Sequence, residues 1–382
     1  MMKFVKNVAR GIGLKAVYTP LRDLLLKWRG FQLLDQKQTV AFMEPYLLAM
    51  IPENRALLPQ IADCADHQKI IFTAKESITD RHYVWEYRDP ELKARVSRYG
   101  SVVIKGKVLC TDRTHSSFYR NIWKKDERPV FAAPMLIAPF SHFQEGVGYG
   151  GYFDFVFFVV VKICRIKDAL PGEDFTDTVI SYSPFNGDYE NEYLQLLDLN
   201  PDNLIDCSVN KVISPRVITG NGRNWHPNIA DILSLKRHIE TKFRPVKTAS
   251  DRIYISRSGR RRIINEDELI ALLKQFNFSI IEDKKRSVTE QISIYHNASF
   301  ILGPHGASFA NIIWCEPGTH LFELFSCNYA PDFFLYLTNV MGMKYSAYYE
   351  GTPDSKVNYL DGISENIYVS IPKLEVCLKN IF

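Results

Sequence analysis

The chain is 382 residues long, with 46% hydrophobic and 24% charged residues, a composition that excludes a largely disordered protein. The length exceeds that of one ordinary hydrophobic core, so we expect two domains. The formal net charge of +4 at pH 7 is small and argues against a dedicated nucleic-acid-binding protein.

The first 30 residues hold most of the net positive charge, and we treat them as a basic leader. Seven Lys and Arg side chains against one Asp give this segment +6 and leave −2 for the rest of the chain. On a helix, the apolar side chains of Phe4, Val5, Val8 and Ile12 fall opposite basic ones. Such a helix either lies on an anionic membrane surface or packs as a solvated terminal helix.

Targeting and cysteine patterns predict a cytoplasmic protein, peripheral at the inner face of the membrane if the leader binds lipid. Charges interrupt residues 1–30, and no apolar run with a cleavage site is present, so no signal peptide is predicted. The seven cysteines lack CxxC pairs and zinc spacing, which favours reduced thiols. The longest apolar run, Tyr152 to Val161, is roughly half the ~20 residues that cross a bilayer and predicts a buried helix or strand.

Residues 31–245 have the pattern of a mixed α/β domain. Runs such as SVVIKGKVLC and PVFAAPMLIAPF suit strands. Apolar residues at helical spacing from Ile229 to Phe243 predict a helix that ends before Pro245. We expect a second domain at 246–350, and a tail at 351–382 that packs back on the N-terminal domain.

The second half alternates regularly between strand and helix patterns. The predicted strands are Arg252–Ser256, Phe278–Asp283, Ser299–Gly303 and Thr319–Phe325. Capping boxes, Asn265 with Glu268 and Ser287 with Glu290, begin two of the intervening helices. This alternation predicts a parallel, doubly wound sheet.

Ligands of such sheets lie outside the carboxyl ends of the strands. The residues predicted there are Arg257, Arg260, Arg261 and Arg262 after the first strand, Lys284, Lys285 and Arg286 after the second, Gly303, His305 and Gly306 after the third, and Glu323 on the fourth. Basic side chains and the N–H groups of a helix start attract an anion, and Glu323 suits a sugar or ribose hydroxyl. A diphosphate is the ligand that fits this set best.

Each of these elements also has an ordinary structural explanation. The Arg run is compatible with a solvated loop or a nucleic-acid patch, the histidine with a structural role, and Glu323 with a plain strand-end charge. Neither a P-loop nor a strand-borne DxD pair is present, so we expect no metal cofactor. The prediction depends on several loops delivering complementary groups to one edge.

The same segment resembles glycosyltransferase family 61. The motif residues that carry the resemblance are Ser256, Arg257, Arg262, Asn265, Glu266, Glu290, Gln291, Gly303 to Ala307, Asn311, Pro317, Gly318 and Glu323. The resemblance implies a GT-B-like α/β fold with two Rossmann-like domains and a cleft between them. It implies metal-independent, inverting transfer from a nucleotide diphosphate sugar, commonly UDP-linked. Without a signal or anchor, the chain is similar to bacterial members that build capsular polysaccharide or lipopolysaccharide.

The resemblance implies a site in two parts. The nucleotide-sugar-binding residues would be Arg257, Arg262, Asn265, Gly303, His305, Gly306, Ala307, Asn311 and Glu323. On the acceptor side, Gly151 stands where family members usually carry a histidine, which leaves Asp154 or His142 as the general base. The ordinary alternative for Asp154 is a helix-capping or buried, paired acid.

Two rival functions remain open from the sequence. The first is a glycosyltransferase-like binding or scaffold protein without turnover, which Gly151 favours. The second is a nucleic-acid binder that uses RSGRRR, which the acidic excess outside the leader disfavours. The expected partners are therefore a nucleotide sugar and a glycan or glycolipid acceptor, and no nucleic acid.

Overall fold

The computed structural model describes residues 15–112, 126–140, 151–222, 224–247 and 251–382, and within them the chain is a mixed α/β protein. The strands are β1 Gln32–Leu33, β2 Leu47–Ile51, β3 Arg55–Leu58, β4 Ile61–Ala62, β5 Ile70–Phe72, β6 Lys75–Ile78, β7 His82–Arg88, β8 Ala94–Val96, β9 Val102–Ile104, β10 Lys107–Val108, β11 Val130–Ala132, β12 Leu136–Ala138, β13 Val179–Tyr182, β14 Leu204–Asp206, β15 Lys211–Ser214, β16 Arg216–Gly220, β17 Arg252–Ile255, β18 Ser279–Ile281, β19 Phe300–Pro304, β20 His320–Phe325 and β21 Lys344–Tyr349.

The helices alternate with strands mainly in the second half. The α-helices are α1 Lys15–Trp28, α2 Gln36–Met43, α3 Tyr152–Phe155, α4 Val161–Ala169, α5 Asp188–Leu196, α6 Ile229–Glu240, α7 Glu266–Gln275, α8 Val288–His296, α9 Phe333–Val340, α10 Tyr359–Gly362 and α11 Ile371–Ile381. A π-helical turn, Val156–Val160, joins α3 to α4, and 3-10 helices form at Glu44–Tyr46, Pro201–Asn203 and Ala307–Trp314. Within the described ranges, no helix is both long and apolar enough to cross a membrane.

The C-terminal sheet has five parallel strands in the order β18-β17-β19-β20-β21. Successive side chains of a strand point to opposite faces, so Ile253 and Ile255 pack on one face and Tyr254 on the other. Helices α7 and α11 cover the Tyr254 face, while α8, α9 and the 3-10 helix Ala307–Trp314 cover the other. The predicted parallel, doubly wound sheet is therefore present, and β21 extends it by one strand.

One predicted helix start agrees with the structure, and two others differ from it. Ser287 caps α8 as expected, because its side chain accepts a hydrogen bond from the backbone N–H of Glu290. Asn265 precedes α7 without capping it, because its side chain bonds the N–H and C=O of Val369 instead. The segment Ala307–Trp314 is a 3-10 helix.

The N-terminal half is built on a sheet of order β14-β13-β12-β16-β7-β2, in which β7 and β2 run antiparallel to their neighbours. A second sheet, of order β1-β10-β9-β8-β15-β11, packs against one face of this sheet, and the two share an apolar cluster. The apolar run from Tyr152 forms the buried helix α3, the π-helical turn and α4, which lie against the remaining face.

One continuous hydrophobic core joins the two halves. It contains Ile137 and Ile218 from the N-terminal sheet, Phe155 from α3, and Ile253 and Ile301 from the C-terminal sheet. Helix α3 contacts the 3-10 helix Ala307–Trp314, and α9 contacts β3. The halves are therefore packed on each other and not joined by a linker alone.

The C-terminal tail packs differently from the prediction. Ile367 bonds the backbone of Arg262 and Ile264, and Leu374 on α11 packs in the same cluster as α7. Cys377 also shares that cluster with Cys64. The tail thus lies mainly on the C-terminal sheet and reaches the N-terminal half at Cys64, because its apolar stripe completes the cover of the Tyr254 face.

A network of buried charges lies at the carboxyl end of β16. Lys162 forms an ion pair with Asp112, and Arg165 pairs with Asp231 at 3.0 Å. His82 also contacts Asp231, at 2.8 Å between Nδ1 and Oδ2. Burial lowers the pKa of Lys162 and of His82. Removing one partner of a buried ion pair destabilises the protein, because the other charge is then buried without a partner.

We predict that Asp231→Ala costs about 3 to 5 kcal/mol of unfolding free energy, because it leaves Arg165 charged and buried without its carboxylate. Chemical denaturation measures this. The matched control is Asp188→Ala, which removes an exposed ion pair with Lys285 and should cost less than about 1 kcal/mol. Equal losses in the two variants would contradict the structural role of the network.

Candidate functional site

The candidate site is built around the backbone carbonyl of His305, which follows β19. Arg257 donates to this oxygen from Nη1 at 3.0 Å, and Arg261 donates from Nε at 3.0 Å. Arg261 also donates to the carbonyl of Ile363 at 2.6 Å. Because a carbonyl oxygen has two lone pairs, it holds both guanidinium groups at one point.

These two guanidinium groups carry positive charge that no described carboxylate neutralises, since neither forms an ion pair within the described residues. Desolvation lowers the pKa of Arg257, and desolvation with the charge of Arg257 lowers the pKa of Arg261 to about 10. Both therefore remain charged at neutral pH. Charged side chains in such positions are normally paired, so this point favours an anion.

Beside the arginines, the buried side chains of His305 and Glu323 and the partly buried Tyr345 form a hydrogen-bonded row. His305 Nδ1 lies 2.5 Å from Glu323 Oε1, and the Tyr345 hydroxyl donates to Glu323 Oε2 at 2.7 Å. Glu323 is completely buried and His305 is 4% exposed. Glu323 therefore lies beneath His305, not at the surface where a ribose hydroxyl was expected to reach it.

Burial and the nearby charges affect the protonation of His305 and Glu323. Burial, together with the charges of Arg261 and Arg257, lowers the pKa of His305 well below its usual value. Burial raises the pKa of Glu323 well above its usual range. With a neutral carboxyl donating to Nδ1, the neutral ring carries its hydrogen on Nε2, and Nε2 is then a donor. Nε2 has no hydrogen-bond partner among the described residues.

The turn after His305 adds backbone donors. The 3-10 helix begins at Ala307, and the N–H groups of Ala307 and Ser308 donate to no residue in the described ranges. A Cβ on Gly306 would overlap Arg257 Nη1, and a Cβ on Gly303 would lie 2.9 Å from the carbonyl oxygen of Ile255. The glycines thus make room for the protein's own arginine and strand.

The start of α3, in the N-terminal half, faces this turn. A Cβ on Gly151 would lie 4.0 Å from Cβ of Ala307. Asp154, 7% exposed, accepts a hydrogen bond from the backbone N–H of Gly151 at 3.3 Å, which is the helix-capping contact. Asp154 is thus brought near the turn, while His142 lies outside the described residues.

Two other predicted donor-site residues are placed away from the His305 carbonyl. The Arg262 side chain is exposed, and Arg261 takes the position expected for it. The Asn265 side chain is occupied by the backbone of Val369. Both residues belong to the segment that holds the C-terminal tail.

Asn311 and the second basic loop also differ from the prediction. Asn311 is 1% exposed and hydrogen-bonds Tyr152 and Gln291, so it joins the two halves. The loop charges are largely paired. Lys284 lies near Glu282, Lys285 near Asp188 and Arg286 near Glu290.

The sequence-based prediction missed the roles of Tyr345 and Tyr152, and it named Arg261 within the arginine run without assigning it to the nucleotide sugar. Arg261 has a positive φ of 60°, which turns its side chain differently from that of its neighbours. Tyr345 lies on β21, whose tyrosine-rich segment KYSAYY was a usable signal for a further strand. In the described part of the chain, no three His, Cys, Asp or Glu side chains are grouped as metal ligands.

The sheet is parallel and covered on both faces, and arginines without an ion-pair partner among the described residues lie beside open backbone amides at the carboxyl ends of its strands. These are the features of an α/β protein with a candidate site for an anion. The sequence model of the family Glycosyltransferase 61 matches residues 58–322, more than half of the chain. The chain belongs to that family, which confirms the predicted family.

Shorter similarities connect the chain to animal enzymes named EGF domain-specific O-linked N-acetylglucosamine transferase. The Drosophila melanogaster protein is 25% identical over 111 residues, covering 28% of this chain and 21% of that protein. The Xenopus laevis protein is 31% identical over 96 residues, covering 24% and 18%. The Mus musculus protein is 32% identical over 72 residues, covering 18% and 14%. The chain matches about a fifth or less of the length of these relatives.

We predict that Gly306→Ala weakens the binding of a nucleoside diphosphate at least tenfold, because the new methyl group displaces the Arg257 guanidinium from the His305 carbonyl. Gly306 has an extended backbone with φ −176°, which alanine adopts readily, so the fold should be retained. Calorimetric titration with UDP measures the effect. Gly259→Ala in the same loop has no atom within 4 Å and should bind like the wild type; weakened binding in this control would contradict the steric explanation.

Proposed function

We propose that the protein transfers a sugar from a nucleotide diphosphate donor, UDP-linked, to a glycan or glycolipid acceptor, with inversion and without a required metal. The observation that carries this proposal is the convergence of Arg257 and Arg261 on one carbonyl without a carboxylate partner among the described residues. Fixed positive charge at this point would stabilise the diphosphate as it leaves, which is the role of electrostatic groups in such transfers.

The donor diphosphate would lie between the two guanidinium groups and the amides of Ala307 and Ser308. The Nε2–H of His305 would add one neutral hydrogen bond, held in place by Glu323 and Tyr345. A neutral donor suits this position, because a third buried positive charge beside Arg257 and Arg261 would be costly. The nucleoside and sugar would extend from the diphosphate along the strand ends.

The acceptor would approach from the N-terminal half, in a GT-B-like arrangement in which Asp154 acts as the general base. A base must take the proton of the acceptor hydroxyl as the anomeric carbon is attacked, and a carboxylate does this if it faces the hydroxyl. The position of α3 opposite Ala307 supports this role. His142 stays the alternative base.

The acceptor and the cellular location are further proposals. The sequence pattern favours capsular or lipopolysaccharide glycans and a cytoplasmic site at the inner membrane face. The names of the animal relatives favour an N-acetylglucosamine donor and an EGF-domain acceptor. A panel with UDP-N-acetylglucosamine and other UDP sugars, offered to both acceptor types, separates these possibilities.

A binding or scaffold protein without turnover is the second candidate. Gly151 stands at the position expected for a histidine, and Asp154 caps its own helix, as a structural acid would. This alternative requires nucleotide-sugar binding with neither transfer nor donor hydrolysis.

We predict that Arg257→Ala lowers turnover about ten- to a hundredfold, because it removes a charge-assisted contact with the departing diphosphate. Transfer from the preferred UDP sugar is measured in the presence of EDTA, which should leave the wild-type rate unchanged. The control is Arg262→Ala, at an exposed neighbouring arginine, which should change turnover less than about threefold, within the range of a weak surface contact. If Arg262→Ala is the more damaging change, the diphosphate site is misplaced.

We predict that Asp154→Asn lowers turnover on the order of 10²- to 10⁴-fold with UDP affinity retained, because the amide keeps the size of the side chain but cannot accept the acceptor proton. Initial rates and UDP titration give both quantities. Asp177→Asn, at an exposed residue of the same half, is the control. Full activity of Asp154→Asn would move the base role to another residue such as His142.

A further inference from the structure

A side-chain hydrogen bond joins the acceptor-side helix to the segment that follows the proposed anion-binding turn. The hydroxyl of Tyr152, the first residue of α3, donates to Asn311 Oδ1 at 2.7 Å. Asp154 lies two residues after Tyr152 on the same helix, and Ala307 begins the 3-10 helix that contains Asn311. The bond therefore connects both parts of the candidate site.

The direction of this hydrogen bond is set by two backbone carbonyls. Gln291 Nε2 donates to the carbonyl of Arg286 at 3.3 Å, which turns Gln291 Oε1 toward Asn311. Asn311 Nδ2 donates to that oxygen at 3.0 Å and to the carbonyl of Ser308 at 3.1 Å. The remaining group of Asn311 is its acceptor oxygen, so Tyr152 must be the donor.

A second tyrosine completes the row. The hydroxyls of Tyr152 and Tyr193 lie 2.9 Å apart, and Tyr193 must donate because the hydrogen of Tyr152 is already used. Tyr193 and Asn311 are almost fully buried. Burial raises the pKa of Tyr152 well above its usual value, so the hydroxyl stays protonated. A buried row with every member satisfied is rigid, because any movement leaves a polar group without a partner.

Van der Waals contacts hold the same region from both sides. The rings of Tyr152 and Tyr189 meet edge to face at 5.2 Å, and Gly151 approaches Ala307 closely. Packing keeps the surfaces together, whereas the directional bond from Tyr152 sets the rotation of α3 against the turn. Catalytic groups misplaced by about 1 Å lose on the order of 10²-fold in rate.

We propose that Tyr152 is a positioning residue for sugar transfer, which holds the start of α3, and with it Asp154, in register with the donor-binding turn through Asn311. The proposal rests on the proposed function, which places the donor at the turn and the acceptor chemistry on α3. Tyr152 contacts neither Arg257 nor Arg261 among its hydrogen bonds, so its role is separate from donor binding.

The test is Tyr152→Phe, which keeps the ring and its packing but removes the donor to Asn311. We expect turnover to fall about five- to fiftyfold, less than for loss of a catalytic group, with the UDP Kd and the donor KM within about twofold of wild type. The matched control is Tyr189→Phe, which removes a hydroxyl from the adjacent ring that bonds no side chain in the described ranges. This control should keep its turnover.

A double variant tests whether Tyr152 acts through Asn311. If it does, adding Tyr152→Phe to Asn311→Ser should lower turnover no further than Asn311→Ser alone, because the shared bond is already lost. Hydrogen exchange should show faster exchange at residues 151–155 and 307–311 in Tyr152→Phe and not in Tyr189→Phe. A purely structural role would lower the denaturation midpoint while leaving turnover per folded molecule unchanged.

The outcomes separate this inference from the proposed function. Wild-type transfer with an unaffected Tyr152→Phe, a loss of the same size in Tyr189→Phe, or a loss confined to donor affinity contradicts the role of Tyr152 alone. A wild-type chain that binds no nucleoside diphosphate and transfers no sugar contradicts the proposed function, and the role of Tyr152 in transfer with it.

Discussion

Two arginine side chains held at one backbone carbonyl determine how the rest of the site is arranged. The carbonyl of His305 is fixed because the N–H of the same residue donates to Leu324 on β20 at 2.9 Å. Arg257 passes so close to the turn that residue 306 needs to lack a side chain. Burial, together with the two nearby guanidinium charges, lowers the pKa of His305, and Glu323, itself hydrogen-bonded by Tyr345, holds the ring in place. An anion is the group that would relieve the repulsion among these charges.

The shared core extends this constraint to the N-terminal half. Helix α3 and the 3-10 helix after the turn pack in one apolar cluster, so the two sides of the site are positioned together. Phe153 on α3 packs against Phe334, and the Phe334 ring lies 5.2 Å from the ring of His305. In a glycosyltransferase, such packing limits the distance that separates an acceptor from a donor, because densely packed cores do not deform continuously.

The fold of the second half was largely predictable, since strand and helix periodicity is local information. The order of the strands came from the structure, which places β17 and β19 side by side. The side chains at the ends of the strands were less predictable. Arg261 contacts the His305 carbonyl in place of Arg262, because the backbone of Arg261 has a positive φ. The side chain of Asn265 is occupied by the C-terminal tail, more than a hundred residues further along the chain. The charges of Lys284 to Arg286 are neutralised in part by Asp188 from the other half.

The amino-acid sequence by itself determined the α/β class, the family, the edge of the sheet that carries the site, and the presence there of arginines and the Gly303 to Ala307 turn. These properties depend on periodicity, capping residues and motif order, which act over a few neighbouring residues. Only the tertiary structure decided which arginine reaches His305, that Glu323 supports the imidazole, and that Asn311 bonds Tyr152. Each of these depends on distant segments meeting in one core, where burial decides which polar groups pair and which charges stay without a partner.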